Sequence, residues 1–441
     1  MATATLPAAS IHDAKRCLID WFAATIPGGL VPPATLLADA LLDEEAGSAL
    51  LFPSGRSASI RTASLINGAA AHVLEFDDIF RDAIYHPGAP VIAAALATAQ
   101  SRGLSGAAVI RAMVVGYEVS GRIGAAMLPA HYEFWHPTGT VGCFGAAAAV
   151  SSLLGLDVDK TAHALANAAT MAAGLQQAFR SDSMGKPLHA GRAAETGALT
   201  ALAAAKGVIG ADGMLDGARG FGNAMSRDVD WESAVAGLGD NLVITRMTHK
   251  NHGCCGHIFA AIDSALILRA EHELGPGDVK RISVGTYATA LEVAGNPAPK
   301  SVFEAKFSIA YCVSMAMSAG RVRMAAFAPE LLEDASLRQL MARVDLHVDA
   351  DADAKAPGRR AATVTIETND GRTLSHRSDT RKGDPESPLS DQELEDKYTE
   401  LTAPVIGNAA AAELLETLWR TNELDELAAL SVACRQPADA A

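Results

Sequence analysis

The chain has 441 residues, 49% of them hydrophobic but only 5% aromatic and 20% charged, with 38 glycines; it is too long for a single small module, and its small aliphatic side chains suit close-packed helices rather than disorder. Lys and Arg total 36 against 51 Asp and Glu, a net charge of −15 that repels phosphate backbones and anionic lipid surfaces and argues against nucleic-acid or membrane partners. The 6 cysteines are too sparse and irregular for a disulfide framework, MATATLPAASIHDAKRCLID at the start shows no secretory signal, and the most apolar stretches, from Val91 and from Val141, are broken before a membrane span's length accumulates, so a cytoplasmic protein is expected.

Up to about Ala270 the apolar residues recur at helical spacing, punctuated by Gly or Pro roughly every fifteen to twenty-five residues, which predicts a large all-helical domain over 1–269. Alanine-rich runs at 146–149 and 201–205 combine high helix propensity with side chains small enough for close helix packing. After Pro276 the pattern changes: VKRISVGTY, VDLHVDA, ATVTIET and RTLSHRS alternate with period two and are rich in β-branched residues, as strands are. Asn369-Asp370-Gly371 supplies the turn chemistry to join the last two as an antiparallel hairpin. A smaller α+β domain is expected over 270–390. Beyond the charged, Pro-bearing run RKGDPESP, Ser390 with Glu393 reads as a capping box, so 391–441 is expected to form helices that return to the helical domain. The fold class is mainly α.

Several stretches concentrate side chains that do chemistry. NGAAAHVLEFDDIFRDAIYHPGAP crowds His72, Glu75, Asp77, Asp78, Asp82 and His86 together, which suggests shifted pKa values, or else a solvated acidic helix start. FWHPTGTVGCFG sets His136 before a helix start whose free N–H groups suit a carboxylate, or else in a plain turn. SMGKPLHAGR carries Lys186, His189 and Arg192, either a grip for several carboxylates or a surface patch. THKNHGCCGHIFAAID gathers His249, Lys250, His252, Cys254, Cys255 and His257; adjacent cysteines are awkward for one tetrahedral zinc, so a catalytic loop ranks above a metal site. EAKFSIAYCVSMAM offers Lys306 and Tyr311, the latter alternatively a core tyrosine.

In this order, NGxxAHxLxFDD with HPG, HPTGTxG, KPLHxGxAAxxG, a Lys-led CC loop with AIDxA, and EAKFSxxYC resemble the MmgE/PrpD family. The likeness runs from about residue 10 to 420 and includes GYEVSGRIG and LLGLD. That family includes 2-methylcitrate dehydratase, cis-aconitate decarboxylase and iminodisuccinate epimerase. The resemblance implies a large helical domain plus a smaller α+β domain, a homodimer, no organic cofactor and no obligatory metal. It places the site on the LEFDD segment, His86, His136, Lys186, Lys250 and Tyr311. In the decarboxylase-like pattern the first acid is Asp where this chain has Glu75, a nearby Thr corresponds to Ile79, and one extra residue lies before His86. Many relatives read CCR followed by His, whereas here Gly256 and Phe259 take those positions and His257 comes two residues earlier; loss of the Arg changes which carboxylate is gripped.

All three activities make or break a bond at a carbon next to a carboxylate, with developing charge that cations must hold. His136 or His86 is therefore expected to transfer the proton. Lys186, Lys250 and Arg192 are expected to bind carboxylates and steady enolate-like charge, with Glu75, Asp78, His189 and His252 completing the substrate-binding set. Tyr311 is expected to donate a hydrogen bond or act as a second acid, and His257 to act as a second base; no metal is expected. The expected function is cofactor-free acid/base chemistry on a small di- or tricarboxylate. A 2-methylcitrate dehydratase-like hydro-lyase comes first, then an epimerase of an iminodisuccinate-like dicarboxylate, then a cis-aconitate decarboxylase-like lyase, then a non-catalytic metabolite-binding scaffold.

Overall fold

The computed structural model describes residues 5–42, 46–179, 181, 183–356 and 358–434. Its N-terminal half is built on the helices Ala8–Gly28, Ile60–Val73, Gly88–Arg102, Gly106–Met127, Gly142–Leu153, Val158–Met171 and Gly185–Ala205. The sequence supplies their starts: Ser59, Ser105 and Asp157 accept the backbone N–H of Thr62, Ala108 and Lys160, satisfying donors a helix cannot pair internally. Gly103, in the left-handed region at φ 61°, ends the Gly88–Arg102 helix. The Ala/Gly composition has a direct packing use. A Cβ built on Gly191 would lie 2.2 Å from the Leu65 carbonyl oxygen, so only glycine lets the Gly185–Ala205 helix lie this close against Ile60–Val73. A short antiparallel ladder, β1 (Ala49–Leu50) with β2 (Ser57–Ala58), closes the loop between the first helices.

The chain divides into two compact units, Met1–His249 with Ser390–Ala441, and Lys250–Leu389. The second holds a 4-stranded mixed sheet of order β4-β3-β5-β6, from β3 (Val279–Thr286), β4 (Val344–Val348), β5 (Ala362–Thr368) and β6 (Thr373–Ser378). β3 runs parallel to β4, with Ile282 beside Val344, and antiparallel to β5, with Ile282 beside Ile366. β5 and β6 form the hairpin expected from Asn369-Asp370-Gly371, with Gly371 at φ 91°. Alternation along β5 sends Val364 and Ile366 into a core shared with Ile262, Ala265 and Leu268 of the Phe259–Glu271 helix and Val313 of Ile309–Ala319. The division falls at His249/Lys250 rather than at 269/270. The Phe259–Glu271 helix belongs to the second unit; periodicity reports the element type and not the partner it packs on.

The chain then re-enters the first unit. Ser390 accepts the N–H of Glu393 at 3.1 Å and the Glu393 carboxylate accepts that of Ser390 at 2.7 Å, the capping box opening the helix Asp391–Ile406, which Asn408–Trp419 follows. Among the described residues no helix is long and apolar enough to cross a membrane.

Candidate functional site

The Ile60–Val73 helix ends just past His72, and the chain turns sharply because Glu75 takes a left-handed backbone, φ 60°. That conformation is strained for a residue other than glycine, asparagine or aspartate, and such strain persists where surrounding contacts over-determine it. Here the contact is an ion pair: Lys186, in the first turn of Gly185–Ala205, donates to the Glu75 carboxylate, and both side chains are buried. Two residues on, Asp77 Oδ2 lies 2.7 Å from His72 Nδ1 and 3.3 Å from His86 Nδ1. The His72 ring stacks on that of His136 with centroids 5.5 Å apart. His136 in turn sets its Nδ1 3.2 Å from His189 Nδ1 and its ring edge-on to Phe179 at 4.8 Å. The Lys186 ammonium sits 5.7 Å from the Phe179 ring centre. Glu75, Asp77, Lys186 and four imidazoles, His72 and His136 buried and His86 and His189 half-buried, thus share one locus of the first unit.

Burial sets the charge states. Burial alone would raise the Asp77 carboxyl, but the charges and hydrogen bonds of His72 and His86 overcome it and hold it well below the usual carboxylate range. Burial, reinforced by His72, Lys186, His189 and His86, keeps His136 well below the ordinary imidazole value. Burial, His72 and Lys186 bring His189 down to about 4. Two neutral rings facing through their Nδ1 atoms share one proton between those atoms. The donor ring then keeps a lone pair on Nε2, a base, while the acceptor ring carries its proton on Nε2, an acid. Among the described residues, the ligand atoms of His72, Asp77 and His86 lie within 4.8 Å of one another, which is the grouping able to hold a metal ion; the 2.7 Å His72–Asp77 contact is equally a hydrogen bond.

The family description for the MmgE/PrpD N-terminal domain matches residues 1–234, and that for the C-terminal domain matches 252–421. The chain belongs to the MmgE/PrpD family. Among its relatives is the cis-aconitate decarboxylase-like protein oryM of Aspergillus oryzae, 28% identical over 430 residues, covering 91% of this chain and 88% of that one. The cis-aconitate decarboxylase of Homo sapiens is 29% identical over 389 residues, covering 85% and 79% respectively. That of Aspergillus terreus is 25% identical over 455 residues, covering 98% and 92%.

Of the residues expected to form the site of this MmgE/PrpD protein, Glu75, His86, His136, Lys186 and His189 meet in the first unit. Asp78 does not join them. It faces the opposite way, accepting from the Tyr117 hydroxyl at 2.8 Å and the Gly88 N–H at 3.0 Å, and so anchors the start of the next helix. Arg192 is also removed: its side chain is 52% exposed and paired with Glu195 on the next turn, the surface reading. Of the N–H groups that follow His136, those of Gly139 and Thr140 are taken by the His136 carbonyl at 2.9 and 3.1 Å.

Lys250, His252, His257 and Tyr311 lie in the second unit. Lys250 is buried. His252 Nε2 is 2.8 Å from Asp263 Oδ1, whose other oxygen accepts the Lys382 N–H at 2.8 Å. His257 Nδ1 is 2.6 Å from the Tyr287 hydroxyl, and burial, then Arg360 and Arg381, keeps it well below the ordinary imidazole value. The two rings are therefore tied to different partners, and with Cys254 and Cys255 they form no metal-sized grouping among the described residues. Tyr311 is fully buried, with its hydroxyl donating to the Ala326 carbonyl at 2.7 Å, the arrangement of a core tyrosine.

The sequence marks Asp77 only as part of the LEFDD segment and His72 only as part of the acidic crowd; a helix-terminal His followed five residues later by Asp is the signal that joins them. In the sequence Arg381 opens the charged run RKGDPESP. It is buried, forked onto Asp384 at 2.8 and 2.7 Å, and donates to the Gly256 carbonyl at 3.0 Å.

Proposed function

We propose that this protein is a lyase that breaks a bond at the carbon next to a carboxylate of a small tricarboxylate of the cis-aconitate and 2-methylcitrate class, using side-chain acid/base chemistry and no organic cofactor. The observation that carries the reading is the contact between buried His136 and half-buried His189 beside Lys186, which presents a neutral base, a neutral acid and a cation within one locus. In decarboxylation the bond to the departing carboxylate breaks, carbon dioxide leaves, and the electron pair passes into the remaining conjugated carboxylate. The Lys186 ammonium offsets that charge, and the Nε2–H of the pair returns a proton to carbon. Names of relatives spanning 85–98% of the chain favour this course. Dehydration is the second reading: the free Nε2 removes the proton next to the carboxylate and the acid partner protonates the leaving hydroxyl. Glu75 and Ile79, which depart from the decarboxylase-like pattern, favour it.

The test is incubation with cis-aconitate, 2-methylcitrate and iminodisuccinate in heavy water, following carbon dioxide, loss of water and deuterium at the reacting carbon. Net loss of carbon dioxide or water, reduced by about 100-fold or more in Lys186→Met and His136→Gln, is the expected result. Deuterium exchange with no net loss identifies an isomerase instead. Turnover and affinity untouched by both substitutions would remove the site from the reaction.

A further inference from the structure

We infer that Glu75 is the specificity-determining residue of this site: it is the protein's own carboxylate, held on the Lys186 ammonium, and an incoming substrate carboxylate must displace it or share the cation with it. This rests on the reading that Lys186 receives a substrate carboxylate.

The pair is buried on both sides, with Lys186 8% and Glu75 6% exposed. Glu75 reaches Lys186 from a left-handed backbone, φ 60°, a conformation that disfavours any side chain and so marks this placement as imposed by its surroundings. The His136–His189 pair does not supply a substitute cation, and His72 and His86 turn their charge on Asp77. Burial keeps His136 and His189 neutral, and Asp77 is an anion. Lys186 is the fixed positive charge among these residues, and Glu75 neutralises it.

Two routes remain for an anion, and both depend on Glu75 with the same sign. An ammonium has three protons, so a second carboxylate can bind beside Glu75 and meet the repulsion of a like charge at short range. Alternatively it replaces Glu75, and its apparent affinity falls by the fraction of molecules in which Lys186 is already taken. An intramolecular carboxylate has a high effective concentration, which a free monocarboxylate with a single contact cannot match. A di- or tricarboxylate gains further contacts and can. Glu75 therefore acts as a filter: it excludes small monocarboxylates and admits polycarboxylates at the cost of some affinity.

The experiment is calorimetric titration with tricarballylate, an unreactive saturated tricarboxylate, and with acetate. The proteins are the wild type, Glu75→Gln, Glu75→Gly and Lys186→Met. Gln keeps the shape and an acceptor for Lys186, while Gly relieves the left-handed backbone, so the loss of charge is tested in two differently tolerated forms. Glu75→Gln is expected to bind tricarballylate roughly tenfold tighter than wild type. Glu75→Gly is expected to gain an acetate site, competitive with tricarballylate, that the wild type lacks, and Lys186→Met to bind neither ligand. If the wild type binds tricarballylate and neither Glu75 variant binds it more tightly, the inference is overturned while the Lys186 reading stands. If none of the four proteins binds it, the polycarboxylate reading itself fails and takes the inference with it.

Discussion

Asp77 and Asp78 are adjacent in sequence and opposite in chemistry. Asp77 turns to two imidazoles and stays ionised, whereas burial, with Asp20 nearby, pushes Asp78 up to about 8 despite the hydrogen bonds from Tyr117 and Gly88. A carboxyl that titrates near its ordinary value of 3.8 when unfolded and at about 8 when folded holds more protons in the native state between those limits. Its contribution to stability is full below the lower value and is lost as pH rises through the upper one, at up to about 1.4 kcal/mol per pH unit. Asp78→Asn is neutral at every pH, and its amide can accept from Gly88 while donating to the Tyr117 oxygen. Urea midpoints for both proteins at about pH 5 and about pH 8 should therefore show the wild type losing stability relative to Asp78→Asn as pH rises. Parallel pH slopes would show that Asp78 is not protonated in the fold.

The site depends on two helices being close enough for His72 on one to lie near Lys186 and His189 on the other, and Gly191 provides that approach. Gly191→Ala places a methyl group 2.2 Å from the Leu65 carbonyl, on backbone that cannot swing aside. The substitution is expected to cost about 1–3 kcal/mol and to lower turnover as the helices part. Thermal melts and initial rates check both, and an unchanged melting temperature would mean the interface yields freely. This contact also shows where sequence reading stops. Helices, the β5–β6 hairpin and the Ser390 capping box were legible because each is set by chemistry within a few residues: period, turn and cap. The motifs bearing His86, His136 and Lys186 were legible as a set because their order matched a family. Which way Asp78, Arg192 and Tyr311 face was not legible, since adjacent positions differ only by which neighbour the fold brings to them. Arg381 was hidden for the same reason, its partner Gly256 lying far away along the chain.

On the scale of the whole chain, the first unit is finished by a segment that follows the second, and one buried lysine ties that segment to the site. Lys397, on the Asp391–Ile406 helix, is 0% exposed; its ammonium donates to Asp20 Oδ1 at 2.6 Å and to the Phe76 carbonyl at 2.7 Å, over the Phe76 ring at 4.2 Å. Phe76 lies between Glu75 and Asp77, so a residue from the end of the chain fixes the backbone that aims both site carboxylates. Breaking a buried pair from one side leaves a desolvated charge behind, and Lys397→Met is expected to cost about 3–5 kcal/mol. Asp20→Asn strands the lysine and is expected to cost a comparable amount. The double substitution removes both charges, so its cost should fall well short of the sum, by more than the roughly 0.3–0.5 kcal/mol within which independent sites add. Urea unfolding of the four proteins measures this cycle directly, and additive losses would show that the two residues do not act as a pair. The double variant, if folded, also separates stability from aim. It has lost the donor to the Phe76 carbonyl, so its turnover should remain low even where its stability has recovered.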